Sequence, residues 1–228
     1  MGFTSGPIQV NEGLRKYMLS VFNKMFMALC LTGGVSFVCG SNPEVVAAMQ
    51  GGLSTLLFVV TLGIVFYLSS RIGKISPDTA QALFWVYAAL VGASISPIIA
   101  RYTGESIANA FFTSAAFFGG LSLYGYTTSK DLTGIGSFML TGLIVVILSS
   151  FINVFFLHNS LLETGLSVLS VIIFSGLTMY DIQKIKHYYS ETQGDEVVAK
   201  CSIIGALALY LDFLNLFLAL LRIVGNRK

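Results

Sequence analysis

Ile203-Ile204-Gly205-Ala206-Leu207-Ala208-Leu209-Tyr210-Leu211-Asp212-Phe213-Leu214-Asn215-Leu216-Phe217-Leu218-Ala219-Leu220-Leu221-Arg222-Ile223 is a hydrophobic run with an aspartate at its centre. Roughly 20 mostly apolar residues are enough to cross a bilayer as a helix. A carboxyl group in such a helix is costly and is turned toward the bundle interior. At helical spacing, Gly205, Ala208, Asp212, Asn215, Ala219 and Arg222 form one small or polar stripe, and Leu and Phe cover the rest. A helix of this kind needs other helices around it.

The remaining sequence supplies them. Of 228 residues, 55% are hydrophobic and only 11% are charged, against roughly 25% charged in a soluble domain. The mean hydropathy is +0.80. The fold class is therefore all-α, a polytopic membrane protein in a single transmembrane domain. Thirteen Lys+Arg against eleven Asp+Glu give a net charge of +2, so there is no basic field to hold nucleic acid. Cys30, Cys39 and Cys201 lack metal-ligand spacing and read as packing residues.

Seven spans are expected, at about 18–38, 53–70, 79–100, 107–127, 134–157, 161–184 and 203–223. The polar N-terminal stretch (Asn11, Glu12, Arg15, Lys16) carries no signal-peptide pattern. Pro97 is expected to kink the third span or end it early. Nine basic residues (Arg15, Lys16, Lys24, Arg71, Lys74, Lys130, Lys184, Lys186 and Lys200) fall on the side of the N-terminus, and Arg101 alone falls opposite before the tail. That bias puts the N-terminus in the cytoplasm. The tail (Arg222, Arg227 and Lys228) fits this rule only if the seventh segment enters and returns, whereas its length favours a full crossing. Both options stand at this point.

Two ionisable residues are out of place in lipid. Asp212 lies deep in the seventh segment, and Asp181 lies near the cytoplasmic end of the sixth, whose weaker polar stripe is Ser167, Ser170, Phe174, Thr178 and Asp181. The loop joining the two spans is short, so they are expected to be neighbours. Two carboxyl groups in one poorly solvated place cannot both ionise cheaply, and the pair is expected to share a proton. Counted from the span ends, Asp181 is roughly 5 Å deep and Asp212 roughly 14 Å deep, so contact requires an offset between the helices. Arg71, closing the second span on the same side, can reach inward to either carboxylate or rest on the headgroups. Glu44, Asp78, Glu105, Asp131 and Glu163 sit at span ends and read as solvated; His158 and His187 lie in loops and receive no role.

The stretches Ser94-Ile95-Ser96-Pro97, Tyr124-Gly125-Tyr126-Thr127-Thr128-Ser129-Lys130-Asp131-Leu132, Tyr180-Asp181-Ile182-Gln183-Lys184-Ile185 and Ala208-Leu209-Tyr210-Leu211-Asp212-Phe213-Leu214-Asn215-Leu216-Phe217 together resemble the Bax inhibitor-1 family, also called the transmembrane Bax inhibitor motif family, in its bacterial branch. The match runs over roughly residues 15 to 225. The resemblance implies seven helices with the seventh at the centre, and a pH-sensitive calcium leak. It implies that Asp181 and Asp212 form the pH sensor and gate, and that Arg71 exchanges partners with them. It also implies a bacterial inner membrane and favours the full crossing of the seventh segment.

Three classes of function compete. The first is a passive calcium pathway gated by protons. Its features are the polar stripe, the deep Asp212 and the absence of a Walker-type glycine loop. Asp181 and Asp212 would then touch calcium weakly and transiently, with Asn215 supplying a further oxygen, since two carboxylates are too few for a tight site. Calcium is the transported ion, and no cofactor is expected. The second class, an intramembrane aspartyl protease, requires Gly-x-Gly-Asp where Leu209-Tyr210-Leu211 precedes Asp212, and a Pro-Ala-Leu tripeptide that is missing; no enzyme is expected. The third is a regulator that binds a membrane protease or another membrane protein, such as a death-pathway component, without conducting ions.

Overall fold

The computed structural model describes residues 12–49, 53–189 and 194–228. The expected polar stretch around Asn11 begins outside them. The elements are α1 (Glu12–Gly40), α2 (Pro43–Ala48), α3 (Ser54–Arg71), α4 (Pro77–Arg101), α5 (Gly104–Thr127), α6 (Thr133–Ile152), α7 (Ser160–Tyr188) and α8 (Asp195–Val224). A π-helical turn, Asn153–Leu157, extends α6. No strand occurs among the described residues. α1, α4, α5, α7, α8 and α6 with its extension are long and apolar enough to cross a membrane; α3 is a shorter apolar helix.

Sequence signals set the boundaries. Asn42 caps α2 through Glu44 N, with proline following it. Ser76 caps α4 and Thr103 caps α5. Asn159 accepts from Leu161 N and Leu162 N at the start of α7. The turn before it is made by His158, the one described non-glycine residue with positive φ (50°), and is closed by two hydrogen bonds between Asn153 and Asn159.

Pro97 does not end α4, which continues to Arg101. A proline frees the carbonyl four residues earlier, here that of Ala93. Ser96 Oγ donates to that oxygen at 2.7 Å. The serine beside the proline thus satisfies the group the proline orphans, as a helix in hydrocarbon requires.

α8 is the core. Fifteen of its residues are buried, among them Tyr210, Leu209, Leu216 and Leu221. It packs against α1, α4, α5 and α7, while α3 packs on α4 and α6 on α7 to complete the outer layer. The outer faces are apolar: Phe138 and Phe156 are 73% exposed and Leu161 81%. An apolar surface this continuous suits hydrocarbon rather than water.

α8 begins at Asp195, two turns before the expected start of the seventh span, and runs without a break for 30 residues, about 45 Å. Its far end meets the α4–α5 corner, where Lys228 N donates to Arg101 O and Thr103 N to Asn226 O, and Tyr102 and Arg227 form an isolated antiparallel bridge. The segment therefore passes from one end of the bundle to the other. The re-entrant alternative does not occur, and Arg222, Arg227 and Lys228 join Arg101 at the end opposite the nine other basic residues.

Close helix approach depends on glycine at two crossings. A Cβ on Gly92 of α4 would lie 2.6 Å from Thr32 O of α1, and one on Gly125 of α5 would strike the Met179 backbone of α7. Small residues at such crossings let membrane helices pack by dispersion. We expect Gly92→Leu and Gly125→Leu each to destabilise the protein by about 1–3 kcal/mol through overpacking. Thermal unfolding in mild detergent measures this, with Gly119→Ala, whose Cβ meets nothing within 4 Å, as the silent control.

Candidate functional site

Asp212 occupies the middle of α8 and is 4% exposed. Asp181 lies two turns before the end of α7 and is half-buried. Their carboxyl groups are within hydrogen-bonding reach of each other. The depth difference counted from the sequence is absorbed by the packing of the two helices. Gly205 of α8 sits against Ile185 of α7. From that level Asp181 is one turn further in, roughly 6 Å, and Asp212 two turns, roughly 10 Å. Side chains lean toward the N-terminus of their own helix. In this antiparallel pair Asp181 leans deeper and Asp212 leans back, and the remaining gap closes.

Two ionised carboxylates are acceptors only, so a hydrogen bond between them requires a proton. No donor among the described residues reaches the buried Asp212 Oδ2. The cation whose field reaches Asp181 is Lys184, three residues on; its ammonium lies over the rings of Tyr180 and Tyr188, 5.5 and 5.9 Å from their centroids. Arg71 is not there. It is exposed at the end of α3, and among the described residues no ion pair joins it to either aspartate. Asn215 is also turned to another task, its Nδ2 donating to Leu211 O at 2.8 Å. The hydroxyls of Ser167, Ser170 and Thr178 bond back to carbonyls of their own helix, so the α7 stripe provides small volume rather than bonds to α8. No group of three or more His, Cys, Asp or Glu able to hold a metal occurs among the described residues.

Three supports of this site were not singled out in the sequence. Lys184 is one; its i+3 spacing from Asp181 was the available signal. Gln183 is the second: its Oε1 accepts from Leu132 N at 2.9 Å and its Nε2 donates to Lys130 O at 2.8 Å. It fastens the α5–α6 connection to α7 beside Asp181. The third is the contact of Tyr210 with Thr32. Tyr210, fully buried, bonds Thr32 Oγ1 at 2.7 Å, and Thr32 donates to Ala88 O at 2.8 Å. Phe84 and Tyr87 each meet the Tyr210 ring in a T-shaped contact. This knot ties α1, α4 and α8 two residues before Asp212, and nothing in a single helix's pattern indicates the partner 178 residues away.

The family model described as "Inhibitor of apoptosis-promoting Bax1" matches residues 14–228. Protein RP147 of Rickettsia prowazekii is 47% identical, over 99% of this chain and 95% of that one. The inner membrane protein YbhL of Escherichia coli K12 is 40% identical, over 97% and 96%. A Borreliella burgdorferi protein is 38% identical, over 93% of each. With both aspartates inside a match of this extent, the chain belongs to the Bax inhibitor-1 family.

Proposed function

We propose that this protein is a pH-sensitive calcium leak channel, gated by Asp181 and Asp212 sharing one proton. The observation that carries the reading is the approach of two carboxyl groups, one from each of two adjacent helices, in a place where Asp212 Oδ2 has no other donor among the described residues. With one proton between them, the pair ties α7 to the central α8 and the passage stays shut. Raising the pH removes the proton. Two unit charges about 4 Å apart then repel by roughly 4 kcal/mol at an effective dielectric constant near 20. That is enough to change a closed-to-open ratio by several hundredfold. The separated carboxylates offer hard oxygens to calcium, but too few to store it, and Asn215, one turn along α8, supplies another oxygen when its side chain rotates away from Leu211 O.

In this reading the protein is a conduit without enzymatic activity or cofactor, calcium is its cargo, and Asp181 and Asp212 are its transient ligands. It lies in a bacterial inner membrane, where the name of the Escherichia coli relative places that protein. The nine-to-four bias of basic residues supports a cytoplasmic N-terminus. The aspartates then lie toward the cytoplasmic half, where α7 and α8 join.

The test is calcium-dye flux in proteoliposomes across about pH 6 to 8, the range around neutrality in which a proton held between two carboxylates is lost. Wild-type flux should rise with pH. Asp212→Asn should lower flux and flatten the pH profile, and Asp181→Asn should loosen the gate with a smaller effect on permeation. If both variants keep the wild-type profile, the aspartates only hold the helices together. Absence of flux together with a co-purifying membrane protease would instead favour a regulator of other membrane proteins.

Arg71 has a separate test. With no ion pair to either aspartate in the closed arrangement, its part comes after the proton leaves, as a partner for a freed carboxylate. Arg71→Gln should leave flux at pH 6 unchanged and alter it at pH 8. Flux equal to that of the wild type at both pH values would confine Arg71 to the headgroups.

A further inference from the structure

The half of the bundle away from the aspartates contains a cavity of about 530 Å³ between α1 and α4 on one side and α5 on the other, with α8 as its floor. Its walls are almost wholly apolar, including Gly33 of α1, Ile107 and Phe111 of α5, and Phe217 of α8. α1 packs on α4 and α8, and α5 on α7 and α8. The space between α1 and α5 is therefore left unfilled by protein, and it is flanked by Phe37 and Phe112, 72% and 70% exposed. The cavity thus opens sideways, into the hydrocarbon that the bundle's apolar outer face requires.

Protein interiors rarely leave voids larger than a water molecule, and water enters a space of this kind only where polar groups can hold it. Polar side chains gather at one end of the cavity, where Ser41, Tyr102, Ser36 and Lys228 line it. Lys228 lines it there, held in place by the bond from its N to Arg101 O. Ser36, one turn before the end of α1, is 2% exposed, lines the cavity, and its Oγ has no hydrogen-bond partner among the described residues. An apolar slot, an unused hydroxyl donor just inside its end, and a cation at the end itself follow the order of parts in one molecule: acyl chain, ester carbonyl, phosphate.

We propose that this cavity is a binding site for a bilayer phospholipid, with an acyl chain lying between α1 and α5 on α8, an ester carbonyl accepting from Ser36 Oγ, and the phosphate beside the Lys228 ammonium. This site is separate from the aspartate pair, and the proposal stands whether or not the protein conducts calcium.

The experiment reconstitutes the full-length protein in vesicles of phosphatidylethanolamine and phosphatidylglycerol containing a phosphatidylglycerol probe with a photoactivatable diazirine on its acyl chain. Labelled residues are mapped by peptide mass spectrometry. Labelling should concentrate on residues 29–41 and 104–112. Gly33→Trp should reduce it about tenfold by filling the slot; a Cβ at Gly33 meets nothing within 4 Å, so the helix contacts are spared. Ala108→Trp, from the opposite wall, serves if the first variant does not fold. Unchanged thermal unfolding confirms that either variant is intact. Ser36→Ala should weaken labelling by any diacyl probe, and Lys228→Glu should weaken it for phosphatidylglycerol more than for a phosphatidylcholine probe. Labelling spread evenly over the lipid-facing surfaces of α5 and α6, or unchanged by both tryptophans, overturns the proposal. So does a crosslink between two chains through Phe37 and Phe112, which would assign the slot to a second copy.

Discussion

A carboxyl group placed halfway along a membrane-crossing helix must be kept from lipid, and it must be given a partner that a bilayer cannot provide. Asp212 meets both demands by lying on the one helix that protein surrounds. The cost of exposing such a group in hydrocarbon is several kcal/mol, comparable with the whole stability margin of an ordinary domain. The arrangement of α1, α4, α5 and α7 around α8 follows from this. Among the described residues, the polar side chain that comes up against Asp212 is a second carboxyl, that of Asp181.

The interior is divided accordingly. On the aspartate side of α8, polar anchors hold the surrounding parts: Gln183 grips the α5–α6 connection and Lys184 rests on two tyrosine rings. Near the middle, the contact of Tyr210 with Thr32 and Ala88 O fixes α8 against α1 and α4. Beyond it the walls turn apolar, and Phe213 of α8 makes T-shaped contacts with Phe111 and Phe118.

Much of this was legible from residue patterns. Apolar runs of the right length identify the spans, because hydrocarbon tolerates only helices with all their backbone groups satisfied internally. Asp212 stood out because its neighbours are so apolar. The approach of Asp181 was not legible from depth counting, because helix ends say little about how two helices are offset; Gly205 against Ile185 determines that. The path of α8 was ambiguous because the basic tail opposed the orientation rule, and the resolving contacts are backbone bonds from residues 226 and 228 to residues 103 and 101. Pro97 reads in the sequence as a kink or an early helix end, because a proline's effect depends on what happens to the freed carbonyl; the helix continues, and the serine next to it bonds that carbonyl. The position of Arg71 was legible only as two alternatives, since a long side chain at a helix end can turn either way.

α8 is preceded in the chain by every helix that packs on it. During synthesis α1, α4, α5 and α7 are therefore made before the element around which they assemble. Until α8 arrives, Thr32 has no Tyr210 to bond, and the faces of α1, α4, α5 and α7 that cover α8 have only each other or lipid to meet. The order of synthesis therefore brings the carboxyl-bearing helix to parts already made, and its buried surface forms only when it meets them.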